Sequence, residues 1–230
     1  MKYAARFFYL FILIQFSFCG NAFSGSNLDK ELEFVKTVML GPEYGGGGQY
    51  VALWKRSPTL SVFSDDPEDH EIVQGIVDEI NALIEDSKTK IKVTKPAKQN
   101  AAFKVFFAPQ KQFTELAREY HFEYVAGNKG YFYIWWDGTH ALSRAIVLIS
   151  ENLRDHSRRH FVREEITQAM GLSNDSPLFK NSIFYGTKHS GGKARGYSEL
   201  DKRLIHFAYA ELNPGDGPEQ VQDAFKRAWS

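Results

Sequence analysis

One cysteine, Cys19, stands in the 230 residues, so no disulfide framework can brace this chain. An oxidising compartment is thereby permitted and not required. Net charge is missing too, since 28 lysines and arginines balance 28 aspartates and glutamates. Without a basic face the chain lacks the surface that neutralises phosphates, which argues against nucleic acid as a partner. The only long apolar run, Phe7 to Phe18, is twelve residues interrupted by Gln15 and Ser17. A membrane span needs about 20, so none is expected. No internal repeat is apparent. What the chain does have is 43% hydrophobic residues and 15% aromatics, enough for the filled core of a single globular domain.

The amino terminus reads as a secretory signal peptide over residues 1–22. Lys2 and Arg6 precede the apolar run, and Gly20-Asn21-Ala22 is a small-x-small cleavage site. Cleavage after Ala22 leaves a periplasmic or secreted chain with 26 basic and 28 acidic residues. The alternative is a lipid anchor on Cys19. Residues 23–49 read as an N-terminal arm, with a helix from Asn27 to Leu40 and a hinge at Gly45 to Gly48. A phosphate-cradling glycine loop would need a helix directly after it, and the strand-like QYVALW follows instead.

Residues 50–213 form the main domain. Leu60 to Phe63 alternates as a strand, and Asp65-Asp66-Pro67 offers turn and cap residues. Glu68 to Glu85 carries a wide apolar stripe of Ile72, Ile76, Val77, Ile80, Leu83 and Ile84, as an amphipathic helix should. Further strands are expected at Lys90–Lys95, Phe103–Phe107, Tyr131–Trp136 and Ala145–Ser150, with a short helix at Gln112–Tyr120. Residues 214–230 are read as a tail carrying one more helix, Pro218 to Trp229.

The stretch that organises these elements is Phe161 to Tyr185, FVREEITQAMGLSNDSPLFKNSIFY. Phe161, Val162, Ile166, Ala169 and Met170 recur at helical spacing, and Gly171 can close the helix in a left-handed conformation. Glu164 and Gln168 lie four apart on one face, with Glu165 one step round. The pattern E-E-x-x-Q-x-x-G-x-x-N-D resembles the metzincin zinc-peptidase motif H-E-x-x-H-x-x-G-x-x-H/D, with the histidines replaced. Ser182-Ile183-Phe184-Tyr185 resembles the S-x-M-Y turn beneath the metal of that group, and Tyr197 to Tyr209 resembles the closing helix of matrixin-type domains. A nearer resemblance is to a bacterial family of secreted proteins and lipoproteins of unknown function that carries E-E-x-T-Q, N-D-S and S-I-F in this order. The resemblance implies an α+β, zincin-like fold. Its mixed five-stranded sheet would carry a long backing helix, an active-site-type helix and a C-terminal helix.

On that resemblance Glu165 takes the general-base position, while Glu164, Gln168 and Asn174 take the three ligand positions. Asp175 is the substitute if the turn differs by one residue. Zinc favours nitrogen and sulfur donors and a neutral amide is a weak ligand, so a divalent metal here is a possibility and not an expectation. The competing account is a hydrogen-bonded network inside an old cleft. A crowded carboxylate pair drawn from Glu164, Glu165 and Asp175 would raise one pKa, but glycoside-type hydrolysis also needs a separation that sequence does not give. His156, His160 and Glu164 fall on one helical face, in a run crowded with Arg158, Arg159 and Arg163 that reads as a solvated basic face.

The aromatic strand offers Tyr131, Tyr133, Trp135 and Trp136 for an interface, or else a strand buried on both faces. Phe184 and Tyr185 would lie near the cleft. His140, Lys188 and His189 fall in loops that the pattern does not position. The expected function is a non-catalytic pseudopeptidase that binds a peptide or an envelope protein segment. The alternative is a metal-dependent peptidase or amidase with Glu165 as general base. A third reading makes the fold a scaffold for its two ends.

Overall fold

A computed structural model of the chain describes residues 27–41, 49–187 and 190–229. The segment read as a signal peptide, with Cys19, the stretch Gly45 to Gly48 read as a hinge, Lys188 and His189 lie outside the described residues. The architecture is α+β. A helix α1 (Asn27–Met39) precedes strand β1 (Thr59–Phe63), the long helix α2 (Pro67–Leu83), and strands β2 (Lys92–Val93) and β3 (Phe103–Ala108). Helix α3 (Phe113–Tyr120), strands β4 (Gly130–Trp136) and β5 (Leu142–Ser150), and helix α4 (Asp155–Gln168) follow. A small ribbon β6 (Gly186–Thr187) and β7 (Ser190–Gly191) leads to helices α5 (Glu199–Glu211) and α6 (Pro218–Ala228).

The main sheet has the order β2-β1-β3-β5-β4, parallel except for β4, which runs antiparallel to β5 at the edge. Strands β3 and β5 are apolar on both faces because both faces are covered. Phe103, Val105, Ala145, Val147 and Ile149 join the main core with α2 and α4, while Phe106, Ile146 and Leu148 join a smaller core under α3. The strand expected over Lys90–Lys95 shrinks to Lys92 and Val93, since only Thr59 and Leu60 of β1 pair with it. A mixed five-stranded sheet, a backing helix α2, a motif helix α4 and a closing helix α5 are the parts the zincin resemblance implies.

The segment read as an arm is built into the core. Phe34, Val35, Val38 and Met39 of α1 are buried, and Phe34 packs edge-on against Phe179 at 5.3 Å. Helix α6 lies against α1 through Lys36 Nζ to Gln222 Oε1 at 2.6 Å, and Trp229 Nε1 donates to Glu31 Oε2 at 2.7 Å. Helices α1 and α6 therefore pack together as part of the domain.

Helix α4 is the element on which the site depends. The expected solvated basic face is corrected by the structure, because α2 presents acids to it. Arg158 Nη2 donates to the fully buried Asp69 at 2.8 Å, Arg163 grips Glu79 with Nη2 at 3.0 Å, and only the Arg159–Glu68 pair is exposed. The carbonyls just past the end of α4 are met from outside the helix. Trp54 Nε1 donates to Ala169 O at 3.1 Å, and Tyr209 Oη donates to Met170 O at 2.7 Å. Gly171 then turns the chain at φ +106°, with its Cα so close to Ala52 that an added Cβ would sit 1.9 Å from the Ala52 carbonyl oxygen. A side chain is excluded here by both conformation and space.

Candidate functional site: an acidic cleft beside an open strand edge

A cleft of about 850 Å³ lies between the start of β4, helix α4 and the segment from Asp175 to Thr187. That size suits a ligand site. Its α4 wall carries Phe161, Glu164, Glu165 and Gln168, one side of a helix at spacings of three and four. Both glutamates are only 7% exposed and Gln168 only 3%. Two glycines make room for the carboxylates. A Cβ on Gly130 would fall 2.4 Å from Glu165 Oε1, and one on Gly186 would fall 1.9 Å from Asp175 Oδ2.

Asp175 enters because its neighbour is used elsewhere. The Asn174 side chain donates to Leu40 O at 3.3 Å and to Gly41 O, just past α1, and so turns away from the cleft. Ser176 N then donates to Phe184 O at 2.7 Å, and this pairing lays Gly186 against Asp175. The Ser182–Tyr185 turn is pinned from α5, where Asp201 accepts from Ser182 Oγ at 2.6 Å and from Ile183 N at 3.0 Å. Asp201 also forms the capping box of α5 with Ser198. One buried carboxylate thus ties the cleft's lower wall to the closing helix.

Gln168 Nε2 donates to Asp175 Oδ1 at 3.0 Å. Burial raises the Asp175 carboxyl from 3.8 to about 6, against the opposing pull of that hydrogen bond. Behind this wall, His160 Nδ1 bonds to Ala194 O at 3.0 Å, and its Nε2 lies 3.4 Å from Glu164 Oε2. A carbonyl can only accept, so Nδ1 carries a proton, and burial lowers the His160 pKa. His156 sits 6.3 Å from His160 ring to ring, but bonds to Lys193 O outside the cleft. The histidine pair serves to fasten residues 193–195 over α4, a role that Arg163 extends by reaching Arg195 O.

The donor set does not suit zinc. Of the ligand positions implied by the resemblance, Glu164 and Gln168 line the cleft, Asn174 does not, and Asp175 stands in its place. Gln168 turns its amide nitrogen, not its oxygen, toward Asp175. Among the described residues no group of three His, Cys, Asp or Glu side chains is placed to hold a metal ion. Carboxylates with one amide lack the nitrogen and sulfur donors that zinc prefers, and are too few for calcium.

The aromatic strand divides by face. Tyr131, Tyr133 and Trp135 point toward α3, where Phe122 packs on them at 6.2, 5.2 and 5.9 Å. Arg144 covers Trp135 at 3.6 Å. Of the expected binding aromatics only Tyr131 borders the cleft, and Phe132 borders it with Tyr131. Tyr133 and Trp135 belong to the small core, Trp136 is exposed beyond a bulge at the far end of β4, Phe184 is fully buried against Phe34, and Tyr185 is half-buried away from the lining. Gly130, Lys129, Pro177 and Gly186 complete the cleft without any sequence signal, because their part depends on what packs against them.

The backbone of β4 is the remaining feature. Ser150 N donates to Lys129 O at 2.8 Å, and the register pairs Tyr131 with Leu148 and Tyr133 with Ile146. Hydrogen-bonded pairs alternate along an antiparallel ladder. Tyr131, Tyr133 and Trp135 therefore turn their N–H and C=O groups toward β5, and Gly130, Phe132 and Ile134 turn theirs outward. No partner for those outward groups occurs among the described residues. The edge opens beside the cleft.

Two structures of myroilysin are similar to this chain, each at 10% identity. One gives a TM-score of 0.43 over 70% of this chain and 97% of the other, and the second gives 0.44 over 77% and 93%. No curated protein matches. A family model described as a protein of unknown function, DUF2927, matches residues 30–227. That span takes in α1, the whole sheet, the cleft and most of α6, so the chain belongs to the DUF2927 family.

Proposed function

We propose that this protein is a non-catalytic, exported peptide-binding module, which takes an extended segment of an envelope protein along the outer edge of β4 and over the cleft. The open edge carries the proposal: Gly130, Phe132 and Ile134 present unpaired backbone groups to one side of a cleft of about 850 Å³. Edge strands that are not blocked invite another strand. Main-chain bonds supply affinity in such strand addition, and side-chain pockets supply choice.

The altered motif supports a binding role over a hydrolytic one. Glu165 stands at the general-base position of the resemblance, but the residues around it do not suit the metal whose bound water such a base would work on. A lone carboxylate adds only about 100- to 10,000-fold by acid–base action. Convergence of Glu164, Gln168 and Asp175 on the cleft keeps one second reading in play, a hydrolase with an unconventional metal.

The test is a peptide selected from a displayed library against the exported protein, then remade with N-methyl groups at alternate residues. Binding should fall about tenfold or more for one parity and hold for the other, and Glu165→Gln should keep the affinity within about threefold. Equal loss for both parities would refute strand addition. Chelator-sensitive cleavage of the peptide that disappears in Glu165→Gln would establish the hydrolase instead.

A further inference from the structure

The overall balance of charge hides a local imbalance. Residues 87–114 hold seven lysines and no aspartate or glutamate. Among the described residues none of the seven forms an ion pair. Six of them are exposed or half-buried, where water answers their charge. The seventh, Lys104 of β3, is only 5% exposed. Its ammonium donates to one backbone carbonyl, Ala101 O, at 2.7 Å, and lies 5.4 Å from the centre of the Tyr120 ring. An ammonium carries three donors and a whole charge, and a buried charge is ordinarily paired.

A second cation stands beside it. Lys104 alternates with Phe103 and Val105, which join the main core, so it shares the α3 face of the sheet with Phe106. The register sets Ser61, Lys104, Ile146 and Tyr133 in one row across that face, with Arg144 opposite Trp135 in the next. Arg144 lies over the Trp135 ring at 3.6 Å. Its guanidinium makes one hydrogen bond among the described residues, Nη2 to Tyr120 O at 3.3 Å. Burial, and after it the Arg144 charge, lower the Lys104 pKa. Ser61 Oγ, which accepts from Lys98 N at 3.0 Å, and Gln99, whose Oε1 is 3.4 Å from Tyr120 Oη, close the surroundings. Glu119 bears on Tyr120, but among the described residues no carboxylate pairs with either cation. Burying an amine and crowding it with a guanidinium both oppose its charge, and an anion between them would offset both.

From this placement we infer that Lys104 and Arg144 form an anion site for a phosphoryl group, on the sheet face away from the cleft. A terminal phosphoryl group carries about 1.5–2 negative charges near neutral pH, and its three oxygens can accept from an ammonium and a guanidinium edge together. A carboxylate brings one charge to two cations and fewer acceptors. Two cations suit one phosphoryl group and not the row of phosphates on a nucleic acid, in keeping with the balanced charge of the whole chain. The group can come from a soluble phosphomonoester or from a lipid headgroup. The exposed Lys95 and Lys98 would steer either toward the pair.

The test reads the melting point of the exported protein in about 50 mM sodium phosphate, against sodium chloride and sodium acetate of equal ionic strength. Phosphate strengthens any folded state by exclusion from its surface. Lys104→Met and Arg144→Gln, each checked for folding by circular dichroism, therefore set the baseline. The parent should gain about 3 °C or more in phosphate beyond the gain of either variant, and glycerol phosphate should act in the same way. Equal gains in the parent and both variants, or no gain in any, would overturn the site. A gain in acetate as large as in phosphate would overturn the assignment to a phosphoryl group. If one variant does not fold, the other decides by the same comparison. Flotation with phosphatidylcholine vesicles holding about 20% phosphatidic acid separates the two sources. Capture that is lost in Lys104→Met would assign the site to a lipid headgroup, and a phosphate gain without capture would assign it to a soluble phosphomonoester.

Discussion

Replacing Asp175 by asparagine separates the cost of the cleft's charge from its shape. The amide oxygen can still accept from Gln168 Nε2, now at 3.0 Å from Asp175 Oδ1, and the fit against Gly186 is kept. What changes is the ionisation. Burial lifts this carboxyl from 3.8 to about 6, so the folded state holds its proton more tightly than the unfolded chain does. Stability therefore falls as pH rises from about 4 through about 6, where the unfolded carboxyl has already ionised and the folded one resists. The difference between 3.8 and about 6 is worth up to about 3 kcal/mol. Partial solvent contact trims that to about 1.5–3 kcal/mol. For a domain of this size each kcal/mol moves the melting point by roughly 2–4 °C. Asp175→Asn should thus match the parent near pH 4 and melt about 3–12 °C higher near pH 7.5, by thermal and urea denaturation at both pH values. A variant less stable near pH 7.5, or a difference that ignores pH, would mean that the carboxylate is held by a favourable cation or by donors. The desolvation argument would then be wrong.

Other substitutions probe the frame around the cleft. Arg158→Ala leaves Asp69 buried without its guanidinium, which lies 2.8 Å away, and should cost about 3–5 kcal/mol in urea unfolding. Gly171→Ala forces a side chain into a left-handed turn at φ +106° and onto the Ala52 carbonyl. It should lose about 2 kcal/mol or more, and an unchanged melting point would show that the turn relaxes easily. Gly186→Ala pushes on Asp175 Oδ2 from 1.9 Å, so peptide affinity should drop about tenfold with a smaller loss of stability, about 1–3 kcal/mol. Asp201→Ala frees the Ser182–Ile183 turn and removes the side-chain half of the α5 capping box. A loss of about 2–4 kcal/mol is expected by calorimetry.

Helices α2 and α4 and strands β3 and β5 were legible because their periodicity follows from a single buried face or from two. The cleft was legible in part. Glu164 and Gln168 share a face by spacing alone, and the structure keeps them together. Asp175 was readable as the substitute for Asn174, but the choice between them was not, since it hangs on carbonyls at the end of α1, 134 and 133 residues earlier in the chain. Arg158 and Arg163 looked solvated because the acids that neutralise them sit on α2, far off in sequence. Alternation in YFYIWW assigned two faces to β4 without saying which met α4. Gly130 and Gly186 carried no signal at all, because a glycine kept for the sake of a neighbouring carboxylate looks like any other. The burial of α1 was missed for a related reason. Its apolar face is short, and what it covers comes from the end of the chain.

The central claim is that the outer edge of β4 receives a peptide strand. Amide hydrogen exchange at single residues tests it most directly, with and without a saturating selected peptide. The account predicts that Gly130, Phe132 and Ile134, whose N–H groups face outward, slow by about tenfold or more on binding. Tyr131, Tyr133 and Trp135, already bonded to β5, should change little. Saturated binding that leaves those three outward amides exchanging at their free rates would contradict the account, and would move the binding surface away from this edge.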